Sequence, residues 1–242
     1  MLKLHYNLEK ISMGLVAAII VAASIGGLVE IAPLFTIDET VEVPADLRPL
    51  TPLELAGREI YIREGCYACH SQMVRSLADE IDRYGPYSLA GESAYDHPML
   101  WGSKRTGPDL ARLGGKYSDR WHVEHLIDPR AVVSASIMPA YPWLTRPLDT
   151  GLLQDELLTL ARLGVPYDAA MIATAEVDAA AQSRPDGDGA DAVRARYGEK
   201  VAVRAFDGDP ARLTEMDAVV AYLQSLGTLT EAPARLLAEG GQ

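Results

Sequence analysis

The feature that most constrains this chain is the five-residue motif Cys66-Tyr67-Ala68-Cys69-His70. Its two cysteines are the only cysteines in the sequence, so no disulfide framework can link distant parts of the fold. The Cys-x-x-Cys-His spacing is the attachment signature of c-type haem. Two cysteines about one turn apart can each form a thioether with a haem vinyl group, and the histidine that follows can bind the iron. The motif therefore predicts one covalently bound haem c on Cys66, Cys69 and His70.

Two other kinds of site use cysteine pairs at this spacing. A thioredoxin-like redox pair belongs to a βαβ unit, and no strand pattern surrounds the motif. A structural zinc site takes four ligands, often in two pairs, and the chain has no second cysteine pair. Both alternatives are therefore disfavoured.

The second axial ligand of the iron has several candidates. They are the remaining histidines and Met73, Met99, Met138, Met171 and Met216. Met73 is too close to the motif to reach the opposite haem face, and Met216 lies in an apolar helix stripe. Met138 is preferred because it precedes Pro139 in a proline-rich loop well downstream. Ligation by histidine and methionine leaves no open iron position, which favours electron transfer over oxygen binding.

His122 and His125 are three residues apart on a predicted helix. A metal-binding pair is conceivable, but such residues are more often surface or hydrogen-bonded histidines. We interpret them in the second way.

An apolar stretch from Ser12 to Phe35 exceeds the roughly 20 residues that a helix needs to cross a bilayer. A cleaved signal peptide is the main alternative, with a weak cleavage site at 22–24. The apolar run continues past that site, so a retained anchor is predicted. Lysines precede the span and carboxylates follow it, which places the N-terminus in the cytoplasm and the remaining chain in the bacterial periplasm.

The rest of the chain is predicted to be mainly α-helical. Thr51 to Gly65 begins with a capping box and Pro52, and Leu213 to Leu226 carries an apolar stripe that ends at Gly227. Shorter helices are expected near 121–127 and 152–163, and a weak strand pattern lies at 201–206. The predicted division is a cytoplasmic tip and transmembrane anchor at 1–36, a linker at 37–50 and a periplasmic haem domain at 51–242. A net charge of −12 disfavours nucleic acid as a partner.

These features together resemble a class I cytochrome c with insertions. The resemblance lies in the haem motif, in Thr106-Gly107-Pro108-Asp109-Leu110, in Met138-Pro139 and in the helix at 218–223. In that family the proline that corresponds to Pro108 offers its carbonyl to the proximal histidine. The two terminal helices cross near a glycine and an aromatic residue, here Gly57 and Tyr222.

A closer resemblance covers nearly the whole chain. The stretches 26–30, 87–97, 101–112, 114–121, 138–144 and 206–226 are similar to the monohaem subunit, subunit II or FixO-type, of cbb3-type cytochrome c oxidases. The resemblance implies an inner-membrane subunit of the respiratory chain that does not itself reduce oxygen. It would take electrons from a dihaem cytochrome c subunit and pass them towards haem b of the catalytic haem–copper subunit, which reduces oxygen to water.

The same resemblance implies that residues 101–105 dock near haem propionates and a calcium ion at the catalytic subunit, with Ser103 or Arg105 contributing. The alternatives are a free-standing, membrane-anchored cytochrome c carrier and the small subunit of a nitric oxide reductase. The long insertion from Ser71 to Met99 favours the oxidase subunit. Its aromatic residues, with nearby Trp101, predict a large interface with another protein.

Overall fold

The fold is described here from a computed structural model, for residues 5–6, 10–35, 41–102 and 104–240. It is mainly helical, as the sequence predicts, and the described residues contain no β-strand beyond an isolated bridge between Pro147 and Thr214. The chain separates into two compact units, 1–42 and 43–242. The predicted boundary between residues 36 and 37 lies outside the described residues, and the division into anchor, linker and haem domain remains a prediction.

The first unit contains helix α1 (Ser12–Ile31), which continues as a 3₁₀ turn (Ala32–Phe35). The 24 residues from Ser12 to Phe35 form a helix long and apolar enough to cross a membrane, and none of them is buried inside the protein. A helix that is apolar on every side, yet contacts no protein core, is suited to a lipid environment. The unit is therefore a candidate membrane anchor.

The second unit contains the remaining helices. They are α2 (Pro52–Arg63), α3 (Ala78–Tyr84), α4 (Asp119–Ile127), α5 (Pro129–Val132), α6 (Leu153–Arg162), α7 (Ala169–Ala173), α8 (Ala175–Gln182), α9 (Ala190–Tyr197), α10 (Glu215–Ser225) and α11 (Ala232–Gly240). Short 3₁₀ turns lie at Cys66–Ala68, Ala90–Ser93 and Pro142–Thr145. The helices expected near 121–127 and 152–163 are confirmed as α4 and α6.

The two longest helices of this unit, α2 and α10, start at capping boxes. Thr51 accepts a hydrogen bond from the Glu54 amide at 3.2 Å, and the Glu54 carboxylate accepts one from the Thr51 amide at 2.9 Å. Thr214 and Asp217 make the equivalent reciprocal pair at the start of α10. The capping box predicted for α2 is confirmed. Helix α10 starts at Glu215, later than predicted, because Thr214 terminates the preceding extended segment.

Helices α2 and α10 cross with their backbones nearly touching. A Cβ atom on Gly57 would lie 1.9 Å from the Ala218 carbonyl oxygen and 2.8 Å from Cβ of Tyr222, so only glycine fits. One helical turn later, the Tyr61 and Tyr222 rings meet edge to face with centroids 5.5 Å apart. The predicted crossing near Gly57 and Tyr222 is confirmed. It fixes the end of α2 and therefore the position of the cysteine motif.

The strand suggested by the weak pattern at 201–206 does not form. This segment has no strand partner among the described residues. Val201, Val203 and Phe206 are nevertheless buried in the core. The alternation holds for Val201 and Val203, whose side chains can face one side of a locally extended backbone without a strand partner. Phe206 falls outside the alternation and follows a bend.

Candidate haem site

The cysteine motif lies immediately after α2. The chain leaves the helix at Arg63, makes the 3₁₀ turn Cys66–Ala68 and is closed by a hydrogen bond from the His70 amide to the Cys66 carbonyl at 2.9 Å. Both cysteines are free; Cys66 is half-buried and Cys69 is exposed. Burial, with the nearby carboxylate of Glu64, raises the pKa of the Cys66 thiol to about 12. A thiol of high pKa is the opposite of the low-pKa nucleophile of thioredoxin-like redox pairs.

The imidazole of His70 is held from behind by the segment that contains Pro108. Its Nδ1 lies 2.8 Å from the Pro108 carbonyl oxygen, so Nδ1 donates that bond and Nε2 remains available as a ligand. Two backbone bonds fix this segment to the motif, from the Gly107 amide to the Cys69 carbonyl and from the Leu110 amide to the Ser71 carbonyl, both at 2.9 Å.

Gly107 allows this close approach. A Cβ atom there would lie 2.2 Å from Cε1 of His70 and 2.7 Å from its Nδ1. The backbone at Gly107 therefore forms a wall against which the imidazole rests. The ring orientation is set from two sides, by the Pro108 carbonyl and by the Gly107 backbone, which can lie this close because glycine has no side chain.

A cavity of about 480 Å³ opens beside His70. Both cysteines, His70 and Met138 line it, and most of the other lining residues are apolar, including Leu110, Leu126, Val219 and Leu223. No Asp, Glu, Lys or Arg side chain is among the lining residues. The cavity thus combines two thiols, one oriented imidazole and one thioether around an apolar space, which is the donor set that a c-type haem requires.

Met138 lies in a loop that several bonds fix in place. Its amide donates to Ser136 Oγ at 3.2 Å, and the Tyr141 amide donates to the Leu126 carbonyl at the end of α4 at 2.7 Å. Farther along, the Trp143 indole N–H donates to Glu64 at 3.2 Å, next to the haem motif. These bonds hold the half-buried Met138 side chain against the core, at the wall of the cavity.

Helix α4 contributes His122 and His125 to the cavity wall. Burial lowers the pKa of His122 to about 4, against a smaller opposing effect of Asp119, and burial together with His70 lowers the pKa of His125. Both shifts favour the neutral form of the imidazole. No group of three or more His, Cys, Asp or Glu side chains that could hold a metal ion occurs among the described residues. A metal ion held by His122 and His125 would therefore have no third ligand of these types among the described residues.

A comparison with known protein families identifies the family of this chain. The family model described as "Cytochrome C oxidase, mono-heme subunit/FixO" matches residues 5–230. This chain belongs to the FixO family. A search of the curated proteins found no match. The family resemblance expected from the sequence is therefore confirmed, and this FixO-family chain is a mono-haem subunit of a cytochrome c oxidase.

The haem that the family description implies fits the residues present. The apolar cavity suits a flat, largely apolar group. The imidazole of His70, oriented against Gly107, suits an iron centre, and the two free cysteines suit covalent attachment. Bound haem would be held by Cys66, Cys69, His70 and Met138, and it would supply a one-electron couple at this position.

Arg105 of this FixO-family chain lies in a polar network directly behind the haem motif. Its guanidinium donates to Ser71 Oγ, the Met73 carbonyl and Glu80, each at 2.8 Å, and only 16 % of the side chain is exposed. Asp109 closes the network by accepting bonds from Ser71 and the Met73 amide. Arg105 thus has partners within its own chain, and its predicted role at an interface or near calcium stays a prediction. Ser103, named with it, lies outside the described residues.

The insertion from 71 to 99 uses some of its aromatic residues internally. Tyr95 packs against the core, the Trp101 indole donates to Ser93 Oγ at 2.8 Å, and the Arg105 guanidinium lies 5.3 Å from the Tyr84 ring centroid. All three rings are half-buried. They hold the insertion on the domain, and the large interface predicted from them stays a prediction.

The sequence did not indicate the stack of aromatic rings at the start of α4. The Tyr117 and Trp121 rings stack at 4.1 Å, and Trp121 stacks on His125 at 4.6 Å. All three residues line the cavity. The signal was present in Trp121 and His125, which are four residues apart and share one face of α4. Tyr117 precedes the helix, so its place in the stack follows from the fold.

Proposed function

We propose that this chain relays electrons within a cbb3-type oxidase through one c-type haem, attached to Cys66 and Cys69 and ligated by His70 and Met138. Electrons would arrive from a dihaem cytochrome c subunit and leave towards haem b of the catalytic subunit. The candidate anchor would hold the haem domain at the periplasmic face of the inner membrane. Oxygen reduction would take place in the catalytic subunit.

The observation that carries this proposal is the orientation of His70. Its Nδ1–H is bonded to the Pro108 carbonyl at 2.8 Å, and the ring borders a cavity whose wall also contains Met138. A fixed imidazole and a thioether held in a bonded loop need little rearrangement when the iron changes oxidation state. Such preorganisation suits electron transfer and opposes exchange of the axial ligands.

The ligand assignment is tested by Met138→Ala in the full chain. Loss of the thioether should lower the haem reduction potential by more than about 59 mV, more than tenfold in the reduction equilibrium, while the haem stays covalently attached. Met99→Ala is the matched control, because Met99 is exposed and does not line the cavity. A redox titration and a haem stain on a denaturing gel provide the two measurements. An unchanged potential and visible spectrum in Met138→Ala would exclude Met138 as the ligand.

The assembly is tested by purifying the tagged chain in a mild detergent. We expect it to co-purify with haem b, copper and further haem c, the cofactors of a catalytic and a dihaem subunit. Isolation of the chain alone would favour the free-standing carrier. Co-purification with a nitric oxide-reducing activity, without oxygen reduction, would favour the reductase subunit.

A further inference from the structure

Two short segments of the haem site run side by side, and each carries one partner of the bond that orients His70. Residues 69–73 contain His70, and residues 107–111 contain Pro108. Two backbone hydrogen bonds join the segments. The distance of 2.8 Å between Nδ1 of His70 and the Pro108 carbonyl oxygen therefore depends on how the two segments are aligned.

Asp109 links the two segments through a fully buried carboxylate. Its side chain is 0 % exposed, and it accepts hydrogen bonds from the Ser71 hydroxyl at 2.5 Å, the Met73 amide at 2.9 Å and the Ala111 amide at 2.8 Å. A buried carboxylate is unfavourable unless charged or hydrogen-bonding partners meet it. Two of these partners belong to the segment of His70, so a shift between the segments would leave the carboxylate with fewer bonds.

Arg105 holds the same two segments from a second direction. Its guanidinium lies 3.5 Å from the Asp109 carboxylate and donates to Ser71 Oγ and to the Met73 carbonyl, both at 2.8 Å. The Ser71 oxygen thus accepts from Arg105 while its single hydroxyl proton goes to Asp109, which fixes the direction of both bonds. Arg105 is also paired with Glu80 at 2.7 Å, so the counter-charge of Asp109 is itself held in place.

The order of residues along the chain couples this link to the imidazole. Ser71 directly follows His70, and Asp109 directly follows Pro108. Two adjacent pairs therefore bridge the segments, one through the Ser71–Asp109 bond and the other through the imidazole. A displacement of about 1 Å between the segments would lengthen the Nδ1 bond beyond hydrogen-bonding range, and the Ser71–Asp109 bond opposes such a displacement.

We propose that Ser71 and Asp109 are positioning residues of this haem site: their hydrogen bond holds His70 against the Pro108 carbonyl and thereby sets the reduction potential of the haem. Neither residue lines the cavity, so both act through His70. A firmly held bond at Nδ1 makes the imidazole a stronger donor to iron, which favours the ferric state and lowers the potential. This inference rests on the proposed function, because it needs a haem in the cavity.

The decisive variant is Ser71→Ala in the full chain in detergent, because it removes the hydrogen bond and changes no charge. We expect a higher potential, with the reduction equilibrium changed about threefold, about 28 mV, and faster solvent exchange of the His70 Nδ1 proton. Asp109→Ala should raise the potential further, by about tenfold in the same equilibrium, since it removes more bonds and a buried negative charge. A redox titration and NMR of the ferrous protein with ¹⁵N-labelled histidine provide the measurements. An unchanged potential in Ser71→Ala would overturn the proposal, whatever the result for Asp109→Ala.

Asp178→Ala is the matched control for loss of stability. The Asp178 side chain is 1 % exposed and paired with Arg196, but it lies in α8 and does not line the cavity. Both Asp109→Ala and Asp178→Ala should lower the unfolding temperature, whereas only Asp109→Ala should change the potential. An equal shift of potential in Asp178→Ala would show that the potential responds to any loss of stability, and it would overturn the proposal.

A haem stain on a denaturing gel separates this inference from the proposed function. An unstained wild-type chain would refute the covalent haem itself. A stained chain in which Ser71→Ala keeps the wild-type potential would refute only the positioning role of Ser71 and Asp109.

Discussion

Gly107→Ala is the substitution that most directly tests how the fold orients His70. The new Cβ would lie 2.2 Å from Cε1 of the His70 ring, while ordinary van der Waals contact begins near 3.4 Å. The ring or the Gly107 backbone must therefore move by about 1 Å. Neither is free to move, because Nδ1 is bonded to Pro108 and the Gly107 amide is bonded to Cys69.

The cost follows from the two contacts at stake. Overpacking a fixed site costs about 1–3 kcal/mol, and loss of the His70–Pro108 bond costs about 0.5–1.5 kcal/mol. The sum, about 1.5–4.5 kcal/mol, corresponds to a decrease in Tm of roughly 3–18 °C for a unit of this size. Because a bond to the second nitrogen of a ligating histidine also tunes the metal, the haem potential should shift as well.

The assay is thermal unfolding of the full chain in detergent, followed by haem absorbance, with a redox titration of the same samples. Gly102→Ala is the matched control, because a Cβ at Gly102 meets no atom within 4 Å. We expect the control to unfold and titrate like wild type. If Gly107→Ala did the same, the close contact between Gly107 and His70 would not determine the ring orientation.

Two further predictions concern the scaffold. Gly57→Ala should lower the urea midpoint of the unit 43–242 by the equivalent of about 2 kcal/mol, because its Cβ would lie 1.9 Å from the Ala218 carbonyl oxygen. This decrease is expected although alanine favours a helix by about 1 kcal/mol, and an unchanged midpoint would contradict the tight crossing. Hydrogen bonds from Arg105 and Arg75 lower the pKa of the Glu80 carboxyl below its usual 4.5. The stability that the ionised carboxylate contributes is therefore present above pH 4.5 and is lost as the pH falls through the lowered pKa. Glu80→Gln should therefore unfold more easily at pH 7 and lose less stability on acidification than wild type. Asp79→Asn is the control, because Asp79 is exposed on the same helix. Parallel pH profiles of Glu80→Gln and wild type would refute this role.

Much of the architecture follows from local sequence patterns. The capping box predicted at Thr51 involves residues three positions apart, so its physics is complete within one helical turn. The apolar run at 12–35 predicts a spanning helix by length alone. The spacing Cys66-x-x-Cys69-His70 predicts the chemistry of the site, since the three side chains act on one group and are adjacent in the chain.

Other features depend on contacts between residues far apart in sequence. The weak alternation at 201–206 could not distinguish a strand from an extended segment packed on helices, because both have the same two-residue period. Arg105 was predicted as an interface residue from resemblance, and only the fold shows Ser71 and Glu80 around its guanidinium. His122 on a predicted helix was interpreted as a surface or hydrogen-bonded histidine, and only the fold shows it buried at the cavity wall.

The sequence by itself therefore determined the motif, the candidate anchor, the capped helix that begins after Thr51 and the family, because these depend on spacing along the chain. The tertiary structure alone decided how His70 is oriented, which wall of the cavity carries His122 and His125, and why Gly57 and Gly107 must lack side chains. Each of these depends on atoms brought together from distant segments, where a difference of 1 Å separates a contact from a clash. One covalent haem on Cys66, Cys69 and His70 was the prediction from spacing, and the cavity around it is what the fold adds.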